Sequence, residues 1–143
     1  ETGAGDVSLE GHLGLTHTAA LPQYVGMVER AVTVVELTSF QRRAEKILSV
    51  QEHKAVIDFL ALNPLAGDEI KGTGGVRKVR FAMGAKGKSG GARVIYYFYN
   101  DTIPLYALLI YGKGEKTDLS ADERRSVSKL VDVLRTTAKE SSR

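Results

Sequence analysis

The sequence predicts an α+β domain of order β-α-α-β-β-β-α, an antiparallel sheet packed by helices in two layers. Two observations lead to this. Three strand-like runs, Val76–Met83, Ala92–Asn100 and Pro104–Lys113, follow one another with short connections, which favours an antiparallel meander. Around them lie segments with helical apolar spacing, two of which open on a Ser with a Glu three residues later. A chain of 143 residues, 43% hydrophobic and 26% charged, suits one compact domain with one core.

Residues 1–26 show no sustained period of either kind and are expected to be a disordered leader or an extension appended to the domain, which then runs over 27–143. The run Ala31–Leu37 is rich in β-branched residues and predicts the first strand. Phe40, Ala44, Ile47 and Leu48 have helical spacing. Ser49 and Glu52 form a capping box for a second helix whose buried stripe includes Val56, Phe59 and Leu60, and Asn63-Pro64 ends it. After the meander, Ser120 and Glu123 open a last helix, with Val127, Leu130, Val131 and Leu134 on one face. The helices are expected to cover one face of the sheet.

Charge is unevenly spread. Lys71, Arg77, Lys78, Arg80, Lys86, Lys88 and Arg93 fall in one window that holds no Asp or Glu, whereas the whole chain carries a formal net charge of +3. The remainder is therefore net acidic, and the basic window favours a polyanion or an acidic partner. There is no cysteine, which excludes disulfides and thiol chemistry. No apolar run reaches the roughly 18–20 residues of a bilayer span, and no signal-peptide pattern is present, so a cytoplasmic protein without membrane contact is expected. No His or carboxylate cluster has metal-ligand spacing, so neither a metal nor another cofactor is implied. The segment Gly72–Gly75, "GTGG", lacks the Gly-Lys-Ser/Thr ending of a phosphate loop.

Strand alternation puts Lys78 and Arg80 on one face and Val79, Phe81 and Met83 on the other. Arg93 begins the next strand, where hairpin pairing brings it toward Lys78 and Arg80. Lys113 ends the strand after that, followed by Gly114, Glu115 and Lys116. Cations gathered from adjacent strands grip phosphate well, Arg bidentately and Lys as a mobile point charge. The aromatic set Tyr96, Tyr97, Phe98, Tyr99 and Tyr106 reads first as core packing; Tyr97 or Tyr99, on the face of Arg93, can reach a base. His53 is expected at the surface of a helix.

Three stretches, "NPLAGDEIKGTGGVRKVR", "GKSGGARVIYYF" and "IYGKGEKTDLS", resemble HigB-type toxins of the RelE superfamily, over about Val32 to Ala138. The resemblance implies a RelE-like fold, cleavage of mRNA in the ribosomal A site, growth arrest, and neutralisation by a cognate HigA-type antitoxin, with operator DNA bound only through the antitoxin complex. The cleavage it implies is attack of a ribose 2′-OH on the adjacent phosphorus without metal. Carried over residue by residue, the family's alternating strand lysines fall on Lys78 and Arg80, its next-strand arginine on Arg93, and its Gly-Lys-Arg-Glu segment on Gly112, Lys113, Gly114 and Glu115.

The roles implied are Lys78 as general base, Arg80 and Arg93 holding the scissile phosphate, and Lys113 contacting phosphate or protonating the leaving oxygen. Lys86, Lys88 and Lys116 grip RNA; Arg77 does the same or pairs structurally with an acid. The family's arginine is replaced by Gly114, and its C-terminal tyrosine falls near Ser120. Those departures favour a second reading, a non-catalytic RelE-like module that binds an antitoxin and acts in operon repression.

Overall fold

The computed structural model describes residues 6–8, 31–82, 91–112, 115 and 118–141. Strand β1 spans Asp6–Ser8 and β2 spans Val34–Glu36; helices α1 (Thr38–Ile47) and α2 (Val50–Leu62) follow. Then come β3 (Asp68–Glu69), β4 (Val76–Ala82), β5 (Ala92–Tyr97), β6 (Leu105–Gly112) and the long helix α3 (Ala121–Ser141). The described residues are thus mixed α+β, with three helices and a largely antiparallel sheet.

Local chemistry accounts for the helix boundaries. Ser49 Oγ accepts from the Glu52 amide at 3.0 Å while Glu52 Oε1 accepts from the Ser49 amide at 2.8 Å, so two otherwise orphaned donors at the start of α2 are satisfied reciprocally. Asn63 caps its end, and Pro64 cannot continue it. Ser120 and Glu123 repeat the device ahead of α3, at 3.1 and 2.8 Å. Helix α1 lacks a side-chain cap; instead Ser39 Oγ donates to the Leu108 carbonyl at 2.9 Å, tying the helix start to β6.

In the sheet the order is β1-β4-β5-β6-β2, with β3 also on β4. The meander β4-β5-β6 is antiparallel, as the short connections predict. Strands β2 and β1 join in parallel, β2 on β6 (Val34 opposite Leu105) and β1 on β4 (Asp6 opposite Arg80). Asp6–Ser8 are therefore paired, within a segment the sequence assigns to a disordered leader; the rest of 1–26 lies outside the described residues. An unpaired stretch of β4 backbone is a template for such pairing.

The expectation of helices on one face is corrected. Helices α1 and α2 cover one face, where Phe40, Ala44, Val56 and Leu60 pack on Val79, Phe81, Val94 and Ile110. Helix α3 covers part of the other face, where Val127 and Val131 meet Val76, Ile95, Tyr97 and Leu108. The reason is visible in β5: Val94, Ile95, Tyr96 and Tyr97 are all buried, so neither face of that strand alternates toward water. A strand apolar on both sides needs two covering layers.

A bulge lets β6 serve both layers. Ile95 pairs with Leu109 but Tyr96 pairs with Ala107, leaving Leu108 as the extra residue. The slip shifts the alternation by one, so Ala107 and Ile110 face α1 and α2 while Leu108 and Tyr111 face α3.

Candidate nucleic-acid interface

Among the described residues, helix α3 leaves one end of its sheet face uncovered, and Lys78, Arg80 and Arg93 stand there. Arg80 of β4 lies directly opposite Arg93 of β5, and Arg93 lies opposite Tyr111 of β6, so the three form one row across the strands. Lys78 lies two residues from Arg80 on the same face. Arg80 is exposed, Arg93 and Lys78 half-buried. Like charges directly opposite one another in an antiparallel pair are destabilising, by the same few tenths to about 1 kcal/mol that opposite charges gain. An anion placed between them removes that cost.

The Lys78 ammonium donates to Asp118 Oδ1 at 2.9 Å. Lys78 holds the Asp118 carboxyl below the usual carboxylate range, and the Arg124 and Arg93 guanidiniums push it the same way. A carboxylate thus sits among three cations, in the kind of place a phosphate oxygen would take. Arg124, in the first turn of α3, also donates to the Lys71 carbonyl at 2.8 Å.

Neither Asp118 nor Arg124 was singled out from the sequence. Both lie far along the chain from the basic window; the only hint is that they flank the capping box of α3.

Arg77 resolves to the structural alternative. It is on the face opposite Lys78, its Nη1 donates to the Gly67 carbonyl at 2.5 Å, and its Nη2 reaches Glu69 at 3.4 Å. Tyr97 is corrected as a base-stacking residue: it is 2% exposed, packed against α3, whereas Tyr99 is 37% exposed. His53 is corrected from surface to half-buried, its Nε2 2.6 Å from Glu36 Oε1 and its ring edge-on to Phe40.

Lys86, Lys88, Lys113 and Lys116, as well as Gly114, lie outside the described residues. Glu115, last of the "GKGE" segment, folds back: its carboxylate accepts from the Gly112 amide at 2.5 Å and pairs with Arg43 of α1. Ser120 is occupied as a helix cap.

No family model matches the chain.

Among the described residues no group of three or more His, Asp or Glu is arranged to hold a metal ion, and no helix is long and apolar enough to cross a membrane. What the face can do chemically follows from its cations. They bind a phosphodiester, and where negative charge grows on phosphoryl oxygens they stabilise the transition state more than the ground state. Burial, with Glu123 and Glu115 adding to it, pushes the Tyr111 hydroxyl far above the ordinary phenol range, so Tyr111 is a neutral neighbour of Arg93.

Proposed function

We propose that the chain is the toxin of a type II toxin–antitoxin module, with a RelE-like fold and the activity of a ribosome-dependent endoribonuclease that cuts mRNA in the A site. The observation that carries this reading is the Arg80–Arg93 opposition with Lys78 on the same face, a cationic surface built on paired strands. The resemblance of "GTGGVRKVR" and "GGARVIYYF" to HigB-type toxins points the same way.

In this reading the ribose 2′ oxygen bonds to the neighbouring phosphorus and the bond to the 5′ oxygen breaks, leaving a 2′,3′-cyclic phosphate and a 5′-OH. Arg80 and Arg93 hold the phosphoryl oxygens. The scissile phosphate takes the place of the Asp118 carboxylate, and Lys78, having given its ammonium proton to water, accepts the 2′-OH proton as a neutral amine. Lys113 serves the leaving oxygen, and the ribosome supplies the in-line orientation. A HigA-type antitoxin silences the toxin in the cytoplasm, and the complex binds operator DNA through the antitoxin.

Induced expression in bacteria tests this. Growth arrest with transcripts cut at the A-site codon is expected, and both are lost in Arg93→Ala. Normal growth with intact transcripts at confirmed protein levels favours instead the non-catalytic antitoxin-binding module. That second reading is supported by Ser120 acting as a helix cap where the family has tyrosine, and by Lys78 being engaged by Asp118.

A further inference from the structure

At the other end of β4 and β5 the structure holds an open cleft of about 540 Å³ that none of the roles above uses. Its floor is the loop between β3 and β4, shaped by glycines at positive φ: Gly72 (77°), Gly74 (79°) and Gly75 (116°). Thr73, fully buried, pins this loop by donating to the Ile70 carbonyl at 2.6 Å and accepting from the Val76 amide at 3.1 Å. Arg135 of α3 donates to the Gly74 carbonyl, so the helix and the loop form one wall. Lys71 adds a second cation to Arg135, while Arg77 also lines the cleft with its charge paired to Glu69.

Two details mark the cleft as more than a packing gap. The Tyr97 hydroxyl lines it, is buried, and makes no hydrogen bond of standard geometry, although the Arg135 guanidinium lies beside it. Tyr99, 37% exposed, stands at the same cleft with an accessible ring. A cationic wall beside an exposed aromatic ring is the arrangement that holds a nucleotide of a single strand, phosphate on the cations and base on the ring.

The cleft is also on the track of the strand bound at Arg93. From Arg80 to Val76 along β4 is about 13 Å at the usual strand rise, a span of a few nucleotides. Arg124 bridges it, near Asp118 at one end and bonded to the Lys71 carbonyl at the other.

We propose that the Gly72–Tyr99–Arg135 cleft is a second RNA subsite, which binds a single-stranded nucleotide a few positions from the one at Arg93 by stacking its base on Tyr99. This rests on the RNA-binding reading above.

The test measures binding rather than cleavage. Fluorescence anisotropy at low salt would compare the full chain with Tyr99→Ala, Tyr99→Phe, Lys71→Ala and Arg93→Ala, on labelled single-stranded RNA of graded length. The full chain should gain affinity once the oligomer spans both sites. Tyr99→Ala should lose that gain, by about 5- to 150-fold for one stacked base, and Tyr99→Phe should keep it. Lys71→Ala should flatten the salt slope by about 0.7. Arg93→Ala should bind every length more weakly. If Tyr99→Ala and Lys71→Ala bind the long oligomer as the parent does while Arg93→Ala is weakened, the subsite is wrong and RNA binding at Arg93 stands. If the parent binds no length, the RNA reading itself falls, and the subsite with it.

Discussion

Lys78 and Asp118, 40 residues apart in sequence, are joined by a 2.9 Å hydrogen bond between ammonium and carboxylate. Asp118 is well exposed, so the pair does little for stability by itself. Its consequence is for access: any phosphate drawn to Lys78 competes with an anion already there. Asp118→Asn, isosteric but neutral, should therefore bind single-stranded RNA more tightly than the parent and with a steeper salt dependence. Unchanged affinity in the variant would show that the carboxylate does not occupy the phosphate position.

The same carboxylate sets a pH dependence. Its folded pKa lies below the ordinary 3.8, so the stability it contributes is present above that value and is lost as pH falls through the folded one. Thermal melts of the parent and Asp118→Asn from neutral to strongly acid pH should show a small gap that closes only below about pH 4. A gap that stays constant across the range would contradict the Lys78 pairing.

Arg93 is held by a paired strand, and its guanidinium can be aimed. Single-turnover cleavage on programmed ribosomes at saturating protein should fall by about 10²–10³-fold in Arg93→Ala, by analogy with removal of one oxyanion-hole donor. Ribosome affinity should stay near normal. The double variant Lys86→Ala/Lys88→Ala should do the reverse, weakening binding and sparing the saturated rate. A folded Arg93→Ala that cleaves at the parental rate would move the active site off this face.

Gly67 sits where no side chain fits. A Cβ there would lie 2.7 Å from the Lys78 carbonyl oxygen and 3.0 Å from the Tyr96 ring, and the Gly67 amide donates to the Tyr96 hydroxyl at 2.8 Å. Gly67→Ala should cost about 1–3 kcal/mol, as overpacking does, and lower the melting temperature. A melt indistinguishable from the parent would mean that the β3 segment yields freely.

Tyr96 and Tyr111 are both pushed above the ordinary phenol range, first by burial. Their raised folded values leave stability intact below about pH 10 and remove it as pH rises beyond. In an alkaline titration the last phenolate absorbance should therefore appear together with loss of helical signal. Full ionisation of all six tyrosines with the helices intact would contradict the burial.

The meander and both capping boxes were legible because each is written locally, in alternation and in a Ser–Glu spacing. The bulge at Leu108 was not: a run such as "YALLIYG" is apolar under either register, and only the partner strand decides which residue is surplus. The covering of both sheet faces was half legible, since "VIYY" announces a strand without a wet side, yet the sequence does not say which helix supplies the second cover. At the site, Arg80 and Arg93 came together as hairpin pairing predicts. Asp118 escaped because charge was read in a window, and its contact with Lys78 exists only once α3 has crossed the sheet.

Among the described residues strand β2 pairs with β6, about 70 residues further along the chain, and Ser39 reaches Leu108 across 69 residues. During synthesis β2 and α1 therefore emerge long before the surface they must cover exists. The cationic face is assembled only after β6 and then Asp118, ahead of α3, have left the exit tunnel, so the charge-gathering face is among the last parts of the described fold to form.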